Sequence, residues 1–190
     1  QHAARHRSDA TATTAGWHLS HSIVDFDTSL EVLLRLVKDE DEPHGRAIDS
    51  AISGVLNGRE QSDLDALMAN GIFALTRDDD IDGILRLLLA APFNEATWRH
   101  VDAQDVPLRE RYWAGVVPRW EGQSPEEFQV AITRLVDVKR PRAAFEFVSI
   151  DLEKIQPQDL CSLLWSVATI GDEPAGTHTL SAHRIATAIG

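Results

Sequence analysis

Apolar side chains recur every three or four residues along most of the chain, and this spacing constrains the fold more than any other feature. The first group comprises Leu30, Leu33, Leu34 and Val37, and similar groups follow as far as Leu160–Val167. Steps of three and four place the members of a group on one face of an α-helix. No comparable run alternates with a period of two, so the sequence predicts an all-α fold without a β-sheet.

The predicted helices also repeat with a period near 32 residues. One line of aliphatic positions at this spacing comprises Ile52, Ile84, Val116, Val148 and Leu180. A second line, on the preceding helices, comprises Val32, Leu64, Ala96, Phe128 and Leu160. Two lines with one period predict stacked antiparallel helix pairs, that is, an α-solenoid of about eight to ten helices. Because the first line is expected in the core, an aspartate at Val148 is predicted to abolish folding. Helices of similar length in an ordinary bundle give some of the same coincidences, so a bundle stays open as an alternative.

Capping residues mark where several of these helices are expected to begin. The run Ser124-Pro-Glu-Glu127 is typical of an N-cap, a first-turn proline and acidic residues near the positive end of the helix dipole. Pro141 and Pro157 mark two further starts, since a proline lacks the backbone donor that a helix interior needs.

Four short segments carry a family resemblance: Arg111–Trp113, Val117-Pro118, Ala131–Leu135 and Arg140–Phe145. They resemble solenoid segments of large bacterial multidomain proteins of unknown function. The chain is similar to a divergent solenoid of HEAT-like or TPR-like character, although the ordered residue patterns of tetratricopeptide and ankyrin repeats are absent. The resemblance implies a scaffold segment beside another effector domain, and it identifies no active site.

The domain organisation is predicted from composition and from the ends of the chain. Residues 1–24 are small, polar and rich in histidine, and we expect a partly irregular segment there. Residues 25–190 are expected to form a single helical-repeat domain, a fragment of a longer chain. No apolar run approaches the roughly 20 residues of a membrane span, so a cytoplasmic location without a membrane partner is expected. Cys161 is the single cysteine, which excludes an internal disulfide framework.

Charge is unevenly distributed along the chain. The 190 residues hold 18 basic and 30 acidic side chains, a net charge of −12, which argues against a general nucleic-acid binder. Residues 1–95 hold 8 basic and 17 acidic groups, whereas Arg99–Arg142 holds 8 and 7. The second stretch is therefore nearly neutral, and a nucleic-acid-binding helical repeat stays a less favoured alternative.

The same stretch is rich in arginine and aromatic residues, which interface hot spots favour. The candidate partner-binding residues are Trp98, Arg99, Arg109, Tyr112, Arg134, Lys139, Arg140 and Arg142. Trp113 and Trp120 are instead predicted to lie in the core, because they belong to the helical stripe that runs from Leu108 to Trp120 and fill the core line that the 32-residue period defines. Trp98 and Tyr112 fit either a core or a surface position.

Two motifs suggest chemistry, and each also has a structural explanation. Asp78–Gly83 spaces its aspartates and glycine as a calcium loop of the EF-hand type does, but Leu89 stands where a bidentate carboxylate is needed. We therefore expect these aspartates to cap the next helix. Cys161 with His178 or His183 could form a nucleophile and base, but leucines flank the cysteine and favour a packed thiol.

The sequence thus predicts no catalytic residue, no metal ligand and no cofactor. Phosphate loops and nucleophile elbows are missing from the sequence, and the histidines lack the spacing of a metal site. The expected function is a non-catalytic protein-interaction or scaffold module that binds another protein or another domain of the same chain. A small helical enzyme or ligand-binding domain is the alternative of a different class.

Overall fold

All regular structure in the described part of the chain is helical. The computed structural model describes residue 14 and residues 25–38, 45–57, 60–120 and 122–170. The helices of these residues are α1 Phe26–Val37, α2 Gly45–Asn57, α3 Gln61–Arg77, α4 Ile81–Ala90, α5 Glu95–Asp102, α6 Val106–Gly115, α7 Pro125–Asp137, α8 Pro141–Val148 and α9 Pro157–Thr169, with a 3₁₀ turn at Leu152–Lys154. The described residues include no strand. The predicted all-α class is confirmed, while the prediction for residues 1–24 lies, apart from residue 14, outside the described residues.

The chain divides into two compact units by its own contacts. Of the described residues, the first unit contains those up to Pro92 together with Ala96–Leu108, and the second contains Phe93–Glu95 and those from Arg109 onward. The prediction of a single repeat domain stays a prediction. No helix of the described residues is long and apolar enough to cross a membrane.

The core of the first unit is formed by α1–α4. Helix α1 packs against α2, α3 and α4, and α4 also packs against α2 and α3. The fully buried residues at these contacts include Leu33, Ile52, Leu56, Leu67, Leu75 and Leu87. Gly71 lets α3 approach α4, since a Cβ atom there would lie 3.0 Å from Cδ2 of Leu87. Two stacked helix pairs would pack in this way, and so would a four-helix bundle, so the solenoid stays a prediction.

Aromatic side chains fill the core of the second unit, where α7, α8 and α9 pack against one another. The Phe147 ring on α8 stacks on Phe128 of α7 at a centroid distance of 4.6 Å. It meets Phe93 edge-on at 5.3 Å, and Phe93 meets Trp113 of α6 edge-on at 6.1 Å. Such edge-to-face and stacked pairs stabilise a core beyond the area they bury.

The predicted helix starts are confirmed where they are described. Ser124 and Glu127 form a reciprocal capping box at the start of α7, and Pro125 is the first residue of that helix. Pro141 and Pro157 are the first residues of α8 and α9. The local rules of helix initiation therefore operate in this chain as the sequence predicts.

The first line of positions spaced 32 residues apart is buried wherever the structure describes it. Ile52, Ile84, Val116 and Val148 all have buried side chains, and Leu180 lies outside the described residues. One turn further on, the prediction of a buried Trp120 is wrong, because the residue is 48% exposed. The repeat itself stays a prediction, since burial at four positions also fits a bundle.

Candidate functional site

Burial separates the eight candidate partner-binding residues into two groups. Trp98, Tyr112 and Arg140 are buried, so their side chains do not lie on the surface. The exposed or half-buried members are Arg99, Arg109, Arg134, Lys139 and Arg142. Trp98 and Arg99 belong to the first unit and the other six residues to the second. A role in partner binding stays a prediction for the five accessible residues.

Arg140 has an internal role that explains its burial. Its Nη1 atom donates to the backbone carbonyls of Trp113 and Val116, each at 2.8 Å. The last carbonyls of a helix lack partners within the helix, and a cation placed there also suits the negative end of the helix dipole. Arg140 therefore ends α6 and fixes where the following segment leaves it.

That following segment carries the apolar surface that we consider the candidate site. We define the connecting segment as residues 116–120 and 122–124, between α6 and α7. Its backbone forms no regular structure, and it exposes 54% of Val117 and 48% of Trp120. Large apolar side chains are exposed singly on many proteins. Here two of them lie three residues apart on a non-helical stretch, and both follow a buried anchor at Val116.

The sequence prediction of a helical stripe running through Trp120 is wrong at this point. Helix α6 ends at Gly115, and the chain from Val116 to Trp120 is irregular. Pro118 provides the physical reason, because proline has no backbone N–H and disfavours a helical conformation in the residue before it. The proline was the signal in the sequence that could have placed this helix end.

Gln123 holds the connecting segment from within the fold. Its buried side chain donates through Nε2 to the carbonyl of Phe93 at 2.6 Å and to the carbonyl of Arg119 at 3.0 Å. Gly122 beside it has a φ of +82°, a left-handed conformation that glycine adopts without strain. The turn is thus closed on itself and joined to the core at Phe93.

Lys154 holds the same segment from the 3₁₀ turn. Its Nζ atom donates to the carbonyl of Gln123 at 2.6 Å. The same atom lies 5.7 Å from the centroid of the Trp120 ring and 5.3 Å from that of Phe128, which is within the range of cation–π attraction. Asp151 pairs with it at 3.5 Å. Sequence analysis missed both Gln123 and Lys154, because the bonds from Gln123 to Phe93 and from Lys154 to Gln123 span 30 and 31 residues and no local pattern marks them.

The aspartate-rich turn between α3 and α4 caps a helix, as predicted. Oδ1 of Asp80 accepts from the backbone N–H of Gly83 at 2.8 Å and so begins α4. Asp78 pairs with Lys38 of the same unit at 2.5 Å, and the hydrogen bond from this ammonium holds the pKa of the Asp78 carboxyl below its usual range. Among the residues that the structure describes, no group of three or more His, Cys, Asp or Glu side chains could hold a metal ion.

Helix α9 presents another exposed tryptophan. Trp165 is 72% exposed, and Cys161, one turn earlier, is exposed too. The predicted packing of Cys161 in the core is wrong, because the buried residue of this helix is Leu163. Two residues along a helix correspond to about 200° of rotation, which turns the thiol away from the core. His178 and His183 lie outside the described residues.

Comparison with known proteins returns no relative. No family model matches the chain, and no curated protein and no solved structure matches it.

Proposed function

We propose that this chain is a non-catalytic protein-interaction module of a larger scaffold, and that the connecting segment is its binding surface. The observation that carries the proposal is the exposure of Trp120 and Val117 on a segment whose backbone is fixed from several sides. The partner is another protein or another domain of the same chain. The proposal includes a HEAT-like or TPR-like solenoid as the scaffold, with which the buried line from Ile52 to Val148 agrees. It also includes a cytoplasmic location.

The chemistry of the exposed residues favours a protein partner. Tryptophan is among the residues that dominate binding energy, because its large flat surface is buried at little cost in side-chain entropy. Val117 adds an aliphatic neighbour, and Arg119 between them is exposed. Arginine beside tryptophan is a frequent composition at the centre of protein interfaces.

The fixed backbone of the segment adds to the argument. Arg140 holds the carbonyl of Val116, the Gln123 side chain holds that of Arg119, and Lys154 holds that of Gln123. A surface that is ordered before binding loses less conformational entropy when the complex forms. Such preorganisation is what a recognition loop requires.

Site-specific cross-linking in the producing cells tests the proposal. A photoreactive amino acid in place of Val117 should give a discrete cross-linked product with one partner, since the side chain points outward from the segment. Trp120→Ala in the same chain should abolish that product, because loss of a hot-spot tryptophan weakens binding by roughly thirtyfold or more.

Val130 supplies the matched control. It is an exposed valine of the same unit, on α7, and carries the same photoreactive group without lying on the connecting segment. Equal products from positions 117 and 130, or a product from position 117 that survives Trp120→Ala, would contradict the proposed surface.

A further inference from the structure

We propose that Lys154 is the positioning residue of the connecting segment, and that its positive charge latches the segment onto α7. Loss of that charge is expected to release residues 119–120 and 122–123 while the helices of the unit stay folded. This inference rests on the proposed function only in that the latched segment is the proposed binding surface. The contacts that carry it concern the free protein.

The contacts of the Lys154 ammonium join three parts of the second unit. Nζ donates to the backbone of the connecting segment at Gln123 and lies over the Trp120 ring of the same segment. It also lies over the Phe128 ring in the first turn of α7. One cation is thus shared between the segment and the helix that follows it.

Each of these contacts depends on charge. A hydrogen bond from an ammonium to a carbonyl is stronger than one between neutral groups. The attraction of the two rings exists only for a cation, because it arises from the negative face of the aromatic quadrupole. The ion pair with Asp151 keeps the ammonium on the 3₁₀ turn and aims it at the segment. A neutral side chain of similar length would keep the apolar stem and lose all of these contacts.

The other side chains that hold the connecting segment bond to its backbone at Val116 and Arg119, whereas Lys154 acts at Gln123 and Trp120. Arg140 acts at Val116, where the segment leaves α6. The side chain of Gln123 closes the turn at Arg119 and joins it to Phe93. Lys154 holds the main-chain carbonyl of Gln123 and faces the indole ring, so it fixes the part that carries the exposed tryptophan.

Trypsin cleavage can be measured within this region, because the segment contains the bond between Arg119 and Trp120, which trypsin cleaves. A protease needs a locally opened backbone, so the cleavage rate reports the population of the released segment. We expect Lys154→Met to accelerate this cleavage about tenfold, and Lys154→Arg to stay within about twofold of the parent, because a guanidinium keeps the charge.

The bond between Lys139 and Arg140 is the internal control for unfolding of the same unit. Lys139 is exposed in the turn between α7 and α8, and its cleavage rate should be equal in all variants if the helices stay folded. Lys38→Met is the matched control for loss of a paired lysine, since Lys38 pairs with Asp78 in the first unit. It should leave cleavage at Arg119 unchanged.

Two results would overturn the latch. One is a parental rate of cleavage at Arg119 in Lys154→Met. The other is an equal acceleration at Arg119 and Lys139, which would make Lys154 a general stabiliser of the unit. The assay contains no partner, so its failure is distinct from a failure of the cross-linking at position 117.

Discussion

Arg140 illustrates how a charged residue of a candidate binding cluster can belong to the interior. Its side chain lies between the end of α6 and the start of α8, and it supplies donors to two carbonyls that the helix leaves without partners. Burying a guanidinium is costly unless its hydrogen bonds are made. The two bonds at 2.8 Å therefore offset part of the cost of removing this side chain from water.

Replacement of Arg140 by methionine is expected to lower the free energy of unfolding by about 2 to 3 kcal/mol, because two carbonyls lose a charged donor. Arg140→Lys should recover only part of this loss, since both bonds come from Nη1 and the lysine ammonium lies one bond nearer the backbone than that atom. Urea denaturation monitored by circular dichroism measures the difference. Arg142→Met, a half-buried neighbour, serves as the control. A loss at Arg140 no larger than the loss at Arg142 would contradict the capping role.

The sequence predicts the burial of individual side chains least well. A periodic pattern assigns Trp120 and Cys161 to buried faces, and both are exposed. Trp120 does not follow the pattern, because Pro118 prevents the helix from continuing as far as Trp120. Cys161 does not follow it either, because Leu163 is buried while the other neighbouring leucines are only half-buried. The buried face of this helix is therefore narrower than the composition suggests.

Helix starts are predicted far better, because their signals are local. The Ser124-Pro-Glu-Glu127 run gives the expected capping box at α7, with Oγ of Ser124 accepting from the Glu127 N–H and Oε2 of Glu127 accepting from the Ser124 N–H. The structure adds a second function for the same carboxylate. Its Oε1 accepts from the backbone N–H of Glu95 at 3.1 Å, at the first residue of α5. One side chain thus serves the starts of two helices.

Glu127→Ala is expected to cost about 2 kcal/mol of stability, because it removes acceptors from two helix N-termini. Glu126→Ala is the matched control, since it removes the same charge from the same turn without a described cap bond, and it should cost only about 0.5 kcal/mol. Thermal unfolding of both variants at one pH gives the comparison. Equal losses would show that the charge near the helix dipole matters and that the cap bonds do not.

The whole molecule shows which part of a helical fold can be predicted from a single sequence. Helical class follows from a period of three to four residues, which is a property of each segment by itself. The division into two units does not follow, because it depends on contacts between distant segments. The bonds from Arg140 to Trp113 and from Lys154 to Gln123 span 27 and 31 residues. These are the same contacts that shape the candidate site, so neither the site nor the division could be predicted from local patterns.

Because the chain divides into two units, a charge placed in one core is expected to unfold only the unit that contains that core. Val148 is fully buried on α8 in the second unit, and an aspartate there is expected to cost more than about 4 kcal/mol, a large share of the stability of a small domain. In hydrogen exchange read by mass spectrometry, Val148→Asp should remove amide protection from α7, α8 and α9 while α1–α4 keep theirs. Val130→Asp, on the exposed face of α7, should leave both patterns unchanged.

The reciprocal variant completes this test. Ile52→Asp places the same charge at a fully buried position of α2, and it should remove protection from α1–α4 while α7–α9 stay protected. Reciprocal loss would mean that each unit folds around its own core, because an uncompensated buried carboxylate destabilises the core that contains it. Simultaneous loss from all helices in either variant would instead favour the single helical-repeat domain that the sequence predicts. A helical array transmits a defect to its neighbours through shared interfaces, whereas two separate cores confine it.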